Sequence, residues 1–196
     1  MKRAVNSLAE GEDEIPAELL RALSPSRKQP LRVLITDIST FGTLPKDFTV
    51  VVYIPIPKVN QATKCSEHRT VSLISHASKI LLKIIMETIN PIIYRYLDET
   101  QLGFRKERGI RDGIFLLRNI SERMASHEKY LYMCFKGYTK AFDRVNYTKL
   151  MEVLIKAGVP DTERRLIAEL YWNQTAKVKT NLGTTEDINI LRGVRQ

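Results

Sequence analysis

This 196-residue chain reads as an α+β protein. Its helical stretches come in pairs, at residues 16–41 and 147–172. Its strand-like runs are few and far apart, at 48–56, 130–135 and 176–191. No strand–helix–strand rhythm connects them, which argues against a doubly wound parallel sheet.

The first helix is expected after Glu12-Asp13-Glu14 and Pro16, where acids and a proline suit the positive end of a helix dipole. Ser24-Pro25-Ser26 ends it. A second helix fits 31–41, with Gly42 as its stop. Residues 48–56 are rich in β-branched side chains and read as a strand. Pro55 and Pro57 bound that strand and point to a sheet edge. Residues 58–68 read as a polar loop, and the stretch His68 to Leu73 shows no pattern of its own.

A long amphipathic helix is expected over 76–97, because Ile80, Ile84, Ile85, Ile89, Ile92 and Ile93 recur at helical spacing. Pro91 should kink or split it. Residues 101–109 form a basic turn with two glycines. Residues 110–124 give a helix with Ile114, Leu117 and Ile120 on one face. A strand at 130–135 and a helix at 147–156 follow, the latter closed by Gly158 and Pro160. Asp161 or Thr162 should cap a helix running to Trp172, and 176–182 with 188–191 should pair as a hairpin around Gly183. The strands at 130–135 and 176–191 should share an incomplete antiparallel sheet. No closing helix or turn follows Gly193, so the expectation is a domain cut short.

Lys and Arg number 31 against 22 Asp and Glu, a formal charge of +9, and 43% of residues are hydrophobic. That supports a packed core and a polyanionic partner, most often nucleic acid. Cys65 and Cys134 match no metal-ligand spacing and are expected to be buried free thiols. Met1-Lys2-Arg3 leads into no apolar stretch, so no signal peptide is expected. The greasiest run, 80–96, is broken by Lys83, Glu87, Asn90 and Arg95, so no membrane partner is expected. The expected location is intracellular, nuclear or cytoplasmic.

A series of short motifs gives the chain its character. They are Glu12 to Leu20, Ile54-Pro55-Ile56-Pro57-Lys58, and Arg69-Thr70-Val71-Ser72-Leu73. Gln101-Leu102-Gly103-Phe104-Arg105-Lys106 and Tyr138-Thr139-Lys140-Ala141-Phe142-Asp143 follow. Leu170 to Thr175 and Arg192-Gly193-Val194-Arg195-Gln196 complete the series. In this order they closely resemble the fingers and early palm of non-LTR (LINE-type) reverse transcriptases, from about residue 10 onward.

The resemblance implies a right-hand polymerase architecture. Residues 1–45 would lead into the fingers, 46–128 would form them, and 129–196 would be a partial palm that stops within the motif starting at Gly193. It implies that Lys58 and Arg69 face the incoming triphosphate or template, both being suited to phosphate. Phe142 would abut the sugar, and its bland alternative is core packing. Arg195 and Gln196 would begin the motif that contacts template and nascent pair. Arg105, Lys106 and Arg108 would follow a nucleic-acid backbone.

It also implies two Mg²⁺ ions held by carboxylates in the intact family. The first carboxylate belongs to a pattern like Phe-x-Asp-Tyr-x-Lys-Ala-Phe-Asp, and here Gly137 stands in the metal-binding place. Glycine offers no carboxylate, and Lys136 beside it repels a cation. Asp143, six residues on, is expected to cap the next helix or pair with a basic neighbour. The family's later Ala-Asp-Asp turn is not in this sequence. Thr70, His68, Ile110 and Phe48 also depart from the family's usual Pro, Tyr, Thr or Ser, and Trp.

The expectation is therefore a catalytically inactive reverse-transcriptase-like fragment of retrotransposon origin. It should need no cofactor as it stands, and should bind RNA or RNA–DNA duplex weakly and without sequence preference. The alternative is a domesticated, non-catalytic RNA or RNA–DNA binding module.

Overall fold

The computed structural model describes residues 11–195. Pro16 precedes α1 (Ala17–Ala22), and a 3-10 turn at Ser26–Lys28 leads into α2 (Gln29–Phe41). Gly42 ends α2 in the left-handed region, φ 74°, and its N–H donates to the Ile38 carbonyl. The short α3 (Lys46–Thr49) feeds β1 (Val50–Pro57). Phe48 and Thr49 thus belong to a helical turn and not to the strand expected there.

β1 pairs antiparallel with β2 (His68–Leu73), from Val52 opposite Leu73 to Pro57 opposite His68. The polar opening His68-Arg69-Thr70 hid this strand from the sequence, since much of it faces solvent. Ser75 caps α4 (His76–Tyr96) by accepting the Ser78 N–H at 3.1 Å. α4 runs unbroken past Pro91, so the expected split does not occur. α5 (Ile110–Ser126) follows, and then residues 129–138, which form no strand. The strand expected at 130–135 is therefore absent, and Tyr130, Tyr132 and Phe135 lie exposed. Its alternation finds no ladder partner among the described residues.

A 3-10 turn at Phe142–Arg144 leads to α6 (Tyr147–Lys156), capped by Asn146, whose Oδ1 accepts the Lys149 N–H at 3.0 Å. Asp143 is not that cap. Gly158 (φ 80°) reverses the chain, and α7 (Asp161–Trp172) starts from Pro160. Asp161 sits in its first turn and makes no cap, contrary to expectation. β3 (Thr175–Thr180), β4 (Gly183–Thr184) and β5 (Ile188–Asn189) form the expected hairpin with an interrupted return strand.

The strand order is β2-β1-β3-β4, with β5 also on β3. The sheet is mixed and not purely antiparallel, because β1 and β3 run parallel, Val50–Tyr53 beside Thr175–Val178. Only Val52 and Tyr53 of β1 are paired on both sides; Val50 and Val51 pair with β3 alone, and residues 54–57 with β2 alone. Pro55 and Pro57 fall in that one-sided half, where a missing N–H breaks no second ladder.

The main hydrophobic cluster lies among the helices. Ile38, Phe48, Leu81, Ile85, Leu154, Val159, Leu166 and Ile167 form one cluster drawn from both halves of the chain. Val51 is fully buried, and burial of a side chain that size contributes about 1.5–3 kcal/mol. Cys65 and Cys134 are free but exposed, which corrects the expectation of buried thiols. Both lie on turns or irregular chain outside the cluster. Among the described residues, no helix is long and apolar enough to cross a membrane.

Candidate functional site

The hairpin between β1 and β2 places Lys58 and Arg69 on one rim. Lys58 donates its N–H to the Glu67 carbonyl at 2.8 Å, which closes the hairpin. Glu67 in turn accepts the backbone N–H groups of Thr63 and Lys64 at 2.8 and 3.0 Å. Those bonds, Lys64's above all, hold the Glu67 carboxyl below its ordinary range. The loop is thus fixed by its own backbone, and its cations face outward.

Opposite that rim stands the turn that carries Lys140 and Asp143. Between them lies a polar cleft of about 380 Å³, lined by Lys58, Cys65, His68, Arg69, Thr70, Lys140 and Asp143. Lys58, Arg69 and Lys140 outnumber Asp143 three to one, so the cleft favours an anion. The Lys58 amine donates to the Ser66 carbonyl at 3.2 Å, while the Arg69 guanidinium makes no hydrogen bond or ion pair among the described residues. Lys140 adopts φ 53°, a left-handed conformation that costs a non-glycine residue roughly 1–2 kcal/mol.

Phe142 adjoins the cleft, 40% exposed, with its ring edge-on to Phe104 at 6.0 Å. Phe104 is itself 91% exposed and has φ 58°. Phe142 is therefore neither core nor free surface, and its neighbour belongs to the basic turn.

That turn is folded on itself. The Arg105 guanidinium lies over the Tyr94 ring, 5.9 Å from its centroid, and donates to the Asp98 carbonyl at 2.8 Å. Arg108 donates to the Glu99 carbonyl, and Lys106 stands 3.8 Å from the Glu107 carboxylate. The Asp98 carboxyl is held low, first by the Thr100 hydroxyl. Arg105, Lys106 and Arg108 do not line the cleft, so the two expected groups of cations occupy different places.

The Arg195 guanidinium points inward. It donates from Nε to Gln174 Oε1 at 2.7 Å and from Nη2 to the Phe48 carbonyl at 3.1 Å. Burial lowers its pKa to about 10, which leaves it charged at neutral pH. Gln196 lies outside the described residues.

The residues at the expected metal position do not fit Mg²⁺. Gly137 is exposed, has no side-chain oxygen, and a Cβ built there would meet nothing within 4 Å. The fold does not demand glycine at this point. Among the described residues, no three His, Cys, Asp or Glu cluster as metal ligands would. Sequence reasoning overlooked Lys140 as a site residue, although it stood within a quoted motif. Asp143 was expected to cap the following helix or pair with a basic neighbour, and the 3-10 turn sets it in the cleft beside Lys58, Arg69 and Lys140.

The site is thus a cation-rimmed cleft beside a mixed sheet, flanked by an aromatic. Residues 56–196 match the family "Reverse transcriptase (RNA-dependent DNA polymerase)", and the chain belongs to it. Among curated proteins it is similar to the Transposon TX1 uncharacterized 149 kDa protein of Xenopus laevis, 26% identical over 163 residues. That match covers 83% of this chain and 12% of the relative's length.

Proposed function

We propose that this chain is a reverse transcriptase segment of a non-LTR retrotransposon that binds RNA or RNA–DNA duplex but does not itself transfer nucleotides. The observation that carries this reading is the convergence of Lys58, Arg69 and Lys140 on one cleft, while Gly137 offers no carboxylate at the position where the family resemblance expects a metal ligand. The cations recognise phosphate, so binding is sequence-independent and weakens as salt competes for the phosphates. The TX1 likeness supports the retrotransposon origin.

Binding of labelled RNA and of RNA–DNA duplex, followed by anisotropy across a salt series, tests the first half. A steep loss of affinity with salt is expected, and binding that ignored ionic strength would overturn the reading. Primer extension on poly(rA) with Mg²⁺ or Mn²⁺ tests the second. Neither the natural chain nor Gly137→Asp should extend the primer, because one added carboxylate does not hold two ions. Extension by either would refute the proposed inactivity.

A further inference from the structure

Arg195 is the natural starting point, because its half-buried guanidinium is turned onto acceptors within the fold and not toward solvent. Its Nε and Nη2 reach Gln174, Phe48 and Thr49, at 2.7, 3.1 and 3.4 Å, so one side chain ties the end of α3, which feeds β1, to the residue before β3. Gln174 is 2% exposed. The two residues before Arg195 are bonded to the cleft wall. The Gly193 N–H donates to the Val145 carbonyl at 2.8 Å, and the Val194 N–H to the Phe142 carbonyl at 2.9 Å. Gly193, at φ 95°, lies so close that a Cβ would come 3.0 Å from Asp143 Cα and its carbonyl oxygen.

We infer that Arg195 is a positioning residue, which through Gly193 and Val194 holds the Phe142–Asp143 turn at a fixed distance from Lys58 and Arg69. The opposite rim grows from the far end of β1, and Arg195 grips the α3 turn that leads into its near end. Both walls of the cleft are thereby referred to one strand. The inference rests on the reading of the cleft as a phosphate site, and it reassigns Arg195 from a nucleic-acid contact to a clamp behind the site.

The test uses the full chain, with inorganic tripolyphosphate as the probe in calorimetry and hydrogen exchange of the amides at 193 and 194 as a second readout. Arg195→Gln and Gly193→Ala should weaken tripolyphosphate roughly tenfold, since small displacements of a positioned group carry large losses. Both should speed exchange at 193 and 194 without altering α7. Arg195→Lys should recover part of both, while Lys58→Ala should lose affinity and leave exchange unchanged.

If Lys58→Ala loses binding but Arg195→Gln and Gly193→Ala keep both affinity and slow exchange, the clamp is overturned and the cleft stands. If the natural chain does not bind tripolyphosphate, the cleft reading falls. Exchange then decides the clamp alone, with faster exchange in the variants supporting it and unchanged exchange overturning it. Should Arg195→Gln fail to fold, Arg195→Lys carries the test, with weaker binding and faster exchange than the natural chain supporting the clamp and natural values of both overturning it.

Discussion

α4 and α5 look alike in sequence and behave differently in the fold. Each carries isoleucines and leucines at helical spacing. α4 buries Ser78, Leu81 and Ile85 and sits against α2, α6 and α7, whereas α5 buries no residue and leaves Ile114, Phe115 and Leu117 exposed. Periodicity states which face of a helix is apolar, and contact with the rest of the chain determines whether that face is covered.

The largest expected effect separates the covered face of α4, with its core partner Leu154 on α6, from the bare face of α5. Leu81→Ala and Leu154→Ala should each cost about 2–5 kcal/mol in urea unfolding, because both side chains are almost fully buried and leave cavities. Ile114→Ala, at 61% exposure, should fall within about 0.5 kcal/mol of the natural chain. A loss at Ile114 as large as at Leu81 would break the contrast and mean that the α5 face is covered in solution.

The two groups of cations sharpen the same comparison at the surface. Lys58→Ala and Arg69→Ala should each weaken RNA binding and lower the slope of log affinity against log salt by about one. Arg105→Ala should act instead through the lost packing on Tyr94 and destabilise the turn. An undiminished salt slope in both Lys58→Ala and Arg69→Ala would remove the cleft from the binding surface.

The smallest expected effect concerns Tyr147. Its hydroxyl is buried and finds no hydrogen-bond partner among the described residues, so Tyr147→Phe should raise stability by about 1 kcal/mol. Burial pushes the phenol up to about 12, with Tyr53 and Tyr171 adding to the effect. A raised phenol keeps its proton in the fold while the unfolded chain releases it near 10. Its contribution is thus complete below pH 10 and lost as pH climbs toward 12. Arg195 acts in the opposite sense, since its lowered pKa sheds a penalty over the interval above pH 10. Urea midpoints from pH 9 to 12 should fall less steeply in Tyr147→Phe than in the natural chain.

Local features were legible in the sequence, and long-range ones were not. Gly42 and Gly158 marked helix ends because a left-handed stop is a property of one residue, whereas the cap of α6 was expected at Asp143 and is made by Asn146. The hairpin around Gly183 was visible for the same reason. β2 was missed because its pattern makes sense only beside β1. The parallel meeting of β1 with β3 left no local trace at all. Of the site, Lys58, Arg69 and Phe142 were named from motifs, and the structure sets Lys58 and Arg69 on the cleft and Phe142 beside it. The inward turn of Arg195 could not be read in advance, because its acceptors lie near residue 48.

The pairing of Val50 with Thr175 also governs when this protein folds. The two strands stand roughly 125 residues apart, and closing a loop that long costs about 2–3 kcal/mol more than closing a short hairpin. During synthesis β1 and β2 emerge early and can zip together, but β1's other side waits until Val178 has left the ribosome. For most of translation the strand with the most deeply buried valine among the described residues stands with one edge bare. A nascent chain released before residue 178 would keep that edge open and meet its neighbours through it.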